Sequence, residues 1–200
     1  MITRITRLLL LLQLSIVIGA GAVAALLWKL PLAWTTFAAA VGVVLVRMLI
    51  VANNFVLAYR YRSPMPAGYR LGFRRACAMF FGEFAASMRA SSWYMPFFAF
   101  SERVAASPAT PPVLLVHGYG CNSGYWQLFS QSLQRAGISH HALDLEPIAG
   151  SIDEYVPAIS AAVTRLTDAS GQPVVIVGHS MGGLAAREPR VVHLPPGGIT

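Results

Sequence analysis

The sequence predicts an α/β fold, a parallel sheet that is incomplete, preceded by two N-terminal transmembrane helices. Three observations carry this expectation. Short apolar runs at Val113–Val116 and Val174–Val177 each lead into a glycine-bearing turn, and helix-compatible stretches separate them, which is the rhythm of βαβ units. Two long N-terminal stretches, Leu8–Leu30 and Leu32–Tyr59, are apolar over a bilayer's width. Most of the acidic residues (Asp144, Glu146, Asp153, Glu154, Asp168, Glu188 among them) lie in the second half, so a membrane segment joined to an ordinary domain explains the composition. At 200 residues the chain holds about one domain and an appendage.

The first apolar stretch follows Arg4 and Arg7, stays uncharged until Lys29, and carries Trp28 at its far end, where an interfacial anchor belongs. Pro31 marks the turn into the second stretch. Arg47 interrupts that stretch, and Asn53 and Asn54 add polar groups near its end. A mid-helix arginine costs about 2.5–3.5 kcal/mol on insertion scales, which the surrounding Val, Leu, Ile and Met residues offset. The second pass therefore reads as a full span with Arg47 snorkelling to the headgroups, or as a tilted interfacial helix. In the hairpin reading, Arg4 and Arg7 at one end and the Arg60–Arg75 cluster at the other share the cytoplasmic side of a bacterial inner membrane, with the C-terminal domain in the cytoplasm. A secretory signal peptide (basic MITRITR, the leucine run, small residues Gly19–Ala25) and a periplasmic domain are the rival readings. Membrane association is common to all three.

The implied organisation is a membrane anchor over residues 1–60, an interfacial or linker region over 61–110, and a partial α/β domain over 111–200. Within the middle region Ala76–Phe100 is rich in aromatic residues and methionine. It reads as a helix packing on the next domain, or as a segment lying on the bilayer. Ser107–Pro112 reads as a linker because its prolines forbid a continuing helix.

Charge and cysteines exclude other classes. The formal charge is +7, but the arginines flank apolar segments instead of lining a polar, aromatic-studded groove, which argues for anionic lipid and against nucleic acid. Cys77 and Cys121 form neither a disulfide framework nor a metal-ligand spacing, and no cofactor is suggested.

In the C-terminal half, Val113–Val116 is a fully apolar run bounded by prolines and by His117-Gly118-Tyr119-Gly120, as a buried parallel strand would be. Ser130–Gly137 reads as a helix ended by glycine and Ser139–Leu145 as a short strand. Asp153–Ala169 reads as a helix with Ser151 as N-cap and Glu154 three residues on. The strand Val174–Val177 then runs into Gly178-His179-Ser180-Met181-Gly182, which satisfies G-x-S-x-G. In that pattern the serine occupies a strained strand-to-helix turn, so the positions two before and two after it must lack bulk. Its hydroxyl stands at a helix N-terminus, and the next backbone N–H, that of Met181, is free to meet a developing oxyanion.

VLLVHGYG followed by VVIVGHSMGG resembles the bacterial lipase and esterase branch of the α/β-hydrolase superfamily, over about residues 111–187. The resemblance implies a serine hydrolase with Ser180 as nucleophile and with the Tyr119 and Met181 backbone amides as oxyanion hole. It makes His117, Gly118, Gly178, His179 and Gly182 supports of the two motifs, and His117 a structural residue of its turn. Asn122, Tyr125 and Trp126 either line an acyl pocket or pack the loop. The implied substrates are apolar carboxylic esters or lipids, with thioesters and acyl transfer as alternatives of the same fold.

The sequence departs from the family's pattern after Ser180. The triad order is serine, acid, histidine, and only Glu188 and His193 follow the serine. Glu188 closes the short helix begun at Ser180, and His193 lies in Val191–Leu194, which reads as the next strand. Pro189 cuts the helix, and Pro195-Pro196-Gly197-Gly198 replaces the expected strand end. The chain reads as a truncated, internally deleted or frame-shifted hydrolase with its acid and base unassigned. An inactive remnant, or an enzyme completed by a second polypeptide, are therefore the competing readings.

Overall fold

The computed structural model describes residues 1–64, 71–105 and 110–188. Arg70, the linker residues Ser107–Ala109, Pro189, the run Val191–Leu194 with His193, and Pro195–Gly198 lie outside the described residues. The chain packs as two compact units. One comprises residues 7–89, and the other joins residues 1–6 to the chain from Ala90 onward.

In the first unit, α1 (Ile2–Trp28) and α2 (Leu32–Arg60) are 27 and 29 residues long, about 40 Å each, and both are apolar enough to cross a membrane. Lys29, at φ 54°, and Pro31 make the tight connection between them. The helices approach closely at Gly21, where a Cβ would fall 2.6 Å from Thr36 Oγ1. Arg47 is held by side chains of neighbouring helices. Its Nη2 donates to Gln13 Oε1 at 2.7 Å and its Nη1 to Met88 Sδ at 3.4 Å. The third helix, α3 (Phe73–Arg89), packs on α2 with Phe80 edge-on against Phe55, ring centroids 5.5 Å apart.

Among the described residues the second unit holds a four-stranded sheet in the order β1-β3-β2-β4, formed by β1 (Glu102–Arg103), β2 (Val113–Val116), β3 (His140–Leu143) and β4 (Val175–Gly178). The parallel-sheet expectation needs one correction. β2 is parallel to β3 and to β4, but β1 pairs antiparallel with β3, so the sheet is mixed. β1 is two charged residues at an edge, a device that shields a sheet edge from further pairing. Glu102 accepts from Arg165 at 3.5 Å, and Arg103 reaches Gln134 and Gln127 at 2.9 and 3.2 Å.

β2 is buried throughout, as its uninterrupted apolar run requires. Leu114 and Val116 face one layer, with Leu145, Tyr155, Val156, Ile159 and Ala162. Val113 and Leu115 face the other, with Trp126, Leu133 and Ala142. The helices divide accordingly. α5 (Gln127–Arg135) covers the second face, while α6 (Ile152–Ser170) and α7 (Met181–Ala186) cover the first. α5 starts before the expected Ser130, because a 3₁₀ turn at Ser123–Trp126 runs straight into it. It ends near Gly137, at φ 69°. At the start of α6 the Ser151 N–H donates to the Glu154 carboxylate at 3.2 Å, as the capping spacing predicts.

Candidate active site

The chain leaves β2 toward α5 on one face and leaves β4 toward α7 on the other. The carboxyl ends of these adjacent parallel strands are therefore a topological switch point, the place where open α/β sheets hold their ligands in a crevice. Two turns stand there, one after Val116 and one after Val177.

The second turn carries Ser180, exposed, with φ 51° and ψ −123°. A side chain in that region is strained, and surrounding packing must hold it there. Gly178 and Gly182 supply that packing. A Cβ on Gly178 would lie 2.6 Å from Gly183 Cα, and one on Gly182 only 2.4 Å from His117 O and 2.5 Å from Val116 O. The α7 backbone thus presses directly on the end of β2, and only glycine fits at either place. The first turn of α7 closes through Gly183 N–H to Ser180 O at 2.9 Å and Leu184 N–H to Ser180 O at 3.3 Å. The Met181 N–H, as the first amide of the helix, has no intrahelical acceptor. The Met181 side chain meanwhile packs on the core.

The first turn abuts Ser180. A Cβ on Gly118 would fall 3.1 Å from Ser180 Cβ and 2.9 Å from His179 Nδ1, so the backbone around Gly118 lies against the serine. The next residue, Tyr119, is exposed. His117 is fully buried. Its Nδ1–H donates to Gly118 O at 2.9 Å and its Nε2 accepts the Leu145 N–H at 3.1 Å. Burial pushes its pKa below the usual histidine value, with the Gly118 carbonyl and Asp144 acting weakly in the opposite direction. Both ring nitrogens of this neutral imidazole are committed, so it braces the turn and has no lone pair left for a substrate proton. His179 stacks on Tyr125, ring centroids 4.7 Å apart, and its backbone N–H donates to Val116 O at 2.9 Å.

Asn122 packs the loop instead of lining a pocket. Its buried amide accepts from Gly124 N–H at 3.1 Å and donates to Met95 O at 2.8 Å and Thr3 Oγ1 at 3.0 Å. Trp126 is likewise core, while Tyr125 is only part-buried. Asp144, at the carboxyl end of β3, was not foreseen as part of this region. It accepts the Ser123 N–H and lies 3.6 Å from His117 Nε2, which places it in the support of the first turn. Burial pushes the Cys121 thiol up, which makes it a poor rival nucleophile. Glu188 follows α7, its N–H donating to Ala185 O at 3.4 Å, and His193 lies outside the described residues. Among the described residues no cluster of His, Cys, Asp and Glu could hold a metal ion.

No curated protein and no solved structure matches the chain. Residues 113–199 match the model of the alpha/beta hydrolase family, a span that begins at the first residue of β2 and takes in both turns. With its sheet and its strained serine, this C-terminal part of the chain is similar to the alpha/beta hydrolase family.

Proposed function

We propose that the chain is a membrane-anchored serine hydrolase that cleaves carboxylic esters, with apolar acyl esters or lipids as substrates, through an acyl-Ser180 intermediate. The observation that carries this reading is Ser180 itself. An exposed serine held at φ 51° between two glycines that tolerate no Cβ, at the start of a helix, is a strained feature that folding alone does not call for.

In the reaction, Ser180 Oγ attacks the ester carbonyl carbon while a general base takes its proton. The carbonyl oxygen becomes an oxyanion, and the backbone N–H groups of Met181 and Tyr119 donate to it. The carbon–oxygen bond to the alcohol then breaks, the alcohol leaves with the proton, and water releases the acid from Ser180 by the same steps in reverse order.

Two features support anchoring and substrate class. α1 and α2 are apolar along about 40 Å each. Arg4 and Arg7 lie in the first turns of α1, Arg60 ends α2 and Arg62 follows it, so a hairpin would keep these cations on one side, the cytoplasmic side by the positive-inside rule.

Labelling of detergent-solubilised protein by a fluorophosphonate, beside Ser180→Ala, tests the chemistry. Labelling that disappears in the variant is the expected result. Folded protein that does not label overturns the esterase reading and leaves a hydrolase fold without a working base.

A further inference from the structure

The second unit is an unusual assembly, because it incorporates residues 1–6, the opening turn of an apolar helix, as well as the chain from Ala90 onward. One side chain joins these two places. The Asn122 Nδ2 group donates both to Thr3 Oγ1 and to Met95 O, so the start of α1 and the start of α4 (Met95–Phe97) share a single donor. Other contacts fix the same junction. Ile2 is buried, the Met1 amine pairs with Glu146, and a Cβ on Gly124 would fall 2.4 Å from Tyr94 O.

Around that junction lies an aromatic patch. Trp93, in a π-helical turn at Ala90–Tyr94, has ring centroids 5.5 Å from Phe97 and 5.6 Å from Phe98, and Tyr94 meets Phe98 at 6.0 Å. Trp93, Phe97 and Phe98 are 55, 48 and 40% exposed, a grouping that soluble surfaces seldom display. We infer that Trp93, Phe97 and Phe98 form a lipid-contacting patch that sits in the headgroup layer of the bilayer beside the entry of α1.

The inference rests on the reading of α1 and α2 as membrane spans, and the junction supplies the depth. If α1 crosses the bilayer, its first turn lies at headgroup level. Met95, bonded through Asn122 to Thr3 of that turn, lies there too, and the patch is within one helical turn of Met95. The residue types suit that level, since Trp carries an apolar body with an N–H for the polar layer, and Arg4 in the same turn of α1 suits anionic headgroups. Asn122 also stands in the loop between Gly118 and α5, so the patch would hold the crevice carrying Ser180 close to the surface from which an apolar ester arrives.

The test uses the full chain in phosphatidylcholine vesicles whose acyl chains are brominated either near the headgroup or deep in the bilayer. The variant Trp28→Phe/Trp34→Phe leaves two tryptophans, Trp93 and the core residue Trp126. We expect about twofold stronger quenching by shallow bromines than by deep ones, and loss of that quenching when Trp93→Phe is added. Carbonate extraction of the same vesicles separates the two readings. Protein stripped by carbonate overturns the membrane reading and this inference together. Protein that is retained, yet whose Trp93 emission ignores bromine, overturns this inference alone and leaves the patch to a protein neighbour.

Discussion

Gly182→Ala is the sharpest perturbation of the crevice, because the structure fixes both its sign and its size. A methyl group at that position meets two main-chain oxygens, at 2.4 and 2.5 Å. An ordinary carbon–oxygen contact is about 3.3 Å or more, so α7 must withdraw from β2 by close to 1 Å. Neither oxygen belongs to a movable side chain, and both sit at the end of the central, fully buried strand. Overpacking costs about 1–3 kcal/mol, and a rigid backbone obstacle puts this case at about 3. Gly183→Ala, one residue on, is the matched control. Its Cβ would lie 3.5 Å from Gly178 O, an ordinary contact, and alanine in place of a helical glycine contributes about 0.5–1 kcal/mol.

The assay is thermal unfolding of the detergent-solubilised chain. Gly182→Ala should lower Tm by roughly 10–15 °C, and Gly183→Ala should leave it unchanged or raise it by a few degrees. The same withdrawal carries the Met181 N–H away from the first turn, so fluorophosphonate labelling of any folded Gly182→Ala protein should slow by about a hundredfold. A Gly182→Ala protein as stable as the Gly183→Ala protein would refute the close packing of α7 on β2, and with it the argument that Ser180 is held in strain.

Other perturbations follow from the same contacts. Ser180→Gly should be about 1–2 kcal/mol more stable than Ser180→Ala in thermal unfolding, because glycine adopts φ 51° freely and alanine does not. Asn122→Ala leaves the Gly124 N–H and the Met95 carbonyl without their partner and should cost about 2–3 kcal/mol, read as a lowered Tm of the second unit. Burial pushes His140 below its usual value of 6.5, against a small opposing pull from the Ile138 carbonyl, while its Nε2 meets Ser130 Oγ at 2.7 Å. A lowered folded-state value means that the unfolded chain binds the proton more readily. The contribution is thus complete above pH 6.5 and is lost as pH falls below it toward the folded-state value. Tm followed against pH should decline below that point, and His140→Gln should flatten the decline.

What was legible in the sequence was whatever a local rule dictates. A strand buried on both faces must be apolar at every position, and Val113–Val116 is. A strained strand-to-helix turn must have glycine on both sides, and Gly178 and Gly182 meet the backbone of α7 and β2 where no Cβ would fit. Helix ends were readable for the same reason at Gly137 and at Ser151 with Glu154. β1 was not, because two charged residues carry no period. Their strand conformation comes from pairing with β3 and from Arg165, Gln127 and Gln134, all distant in sequence.

The open readings of Arg47 and of Asn122 have one physical source. A polar side chain placed among apolar neighbours must end in a hydrogen bond, but the sequence does not say with whom. For Arg47, a snorkelling side chain and a tilted interfacial helix were both open, and the sequence did not show that Gln13 on the neighbouring helix offers an acceptor 2.7 Å away. For Asn122, lining a pocket and packing a loop were equal on composition alone. The choice was made by Thr3 and Met95, which the fold brings to the same amide from 119 and 27 residues away. That amide is the kind of information a one-dimensional reading lacks. It ties the first turn of an apolar helix to the loop that follows the His117-Gly118 turn.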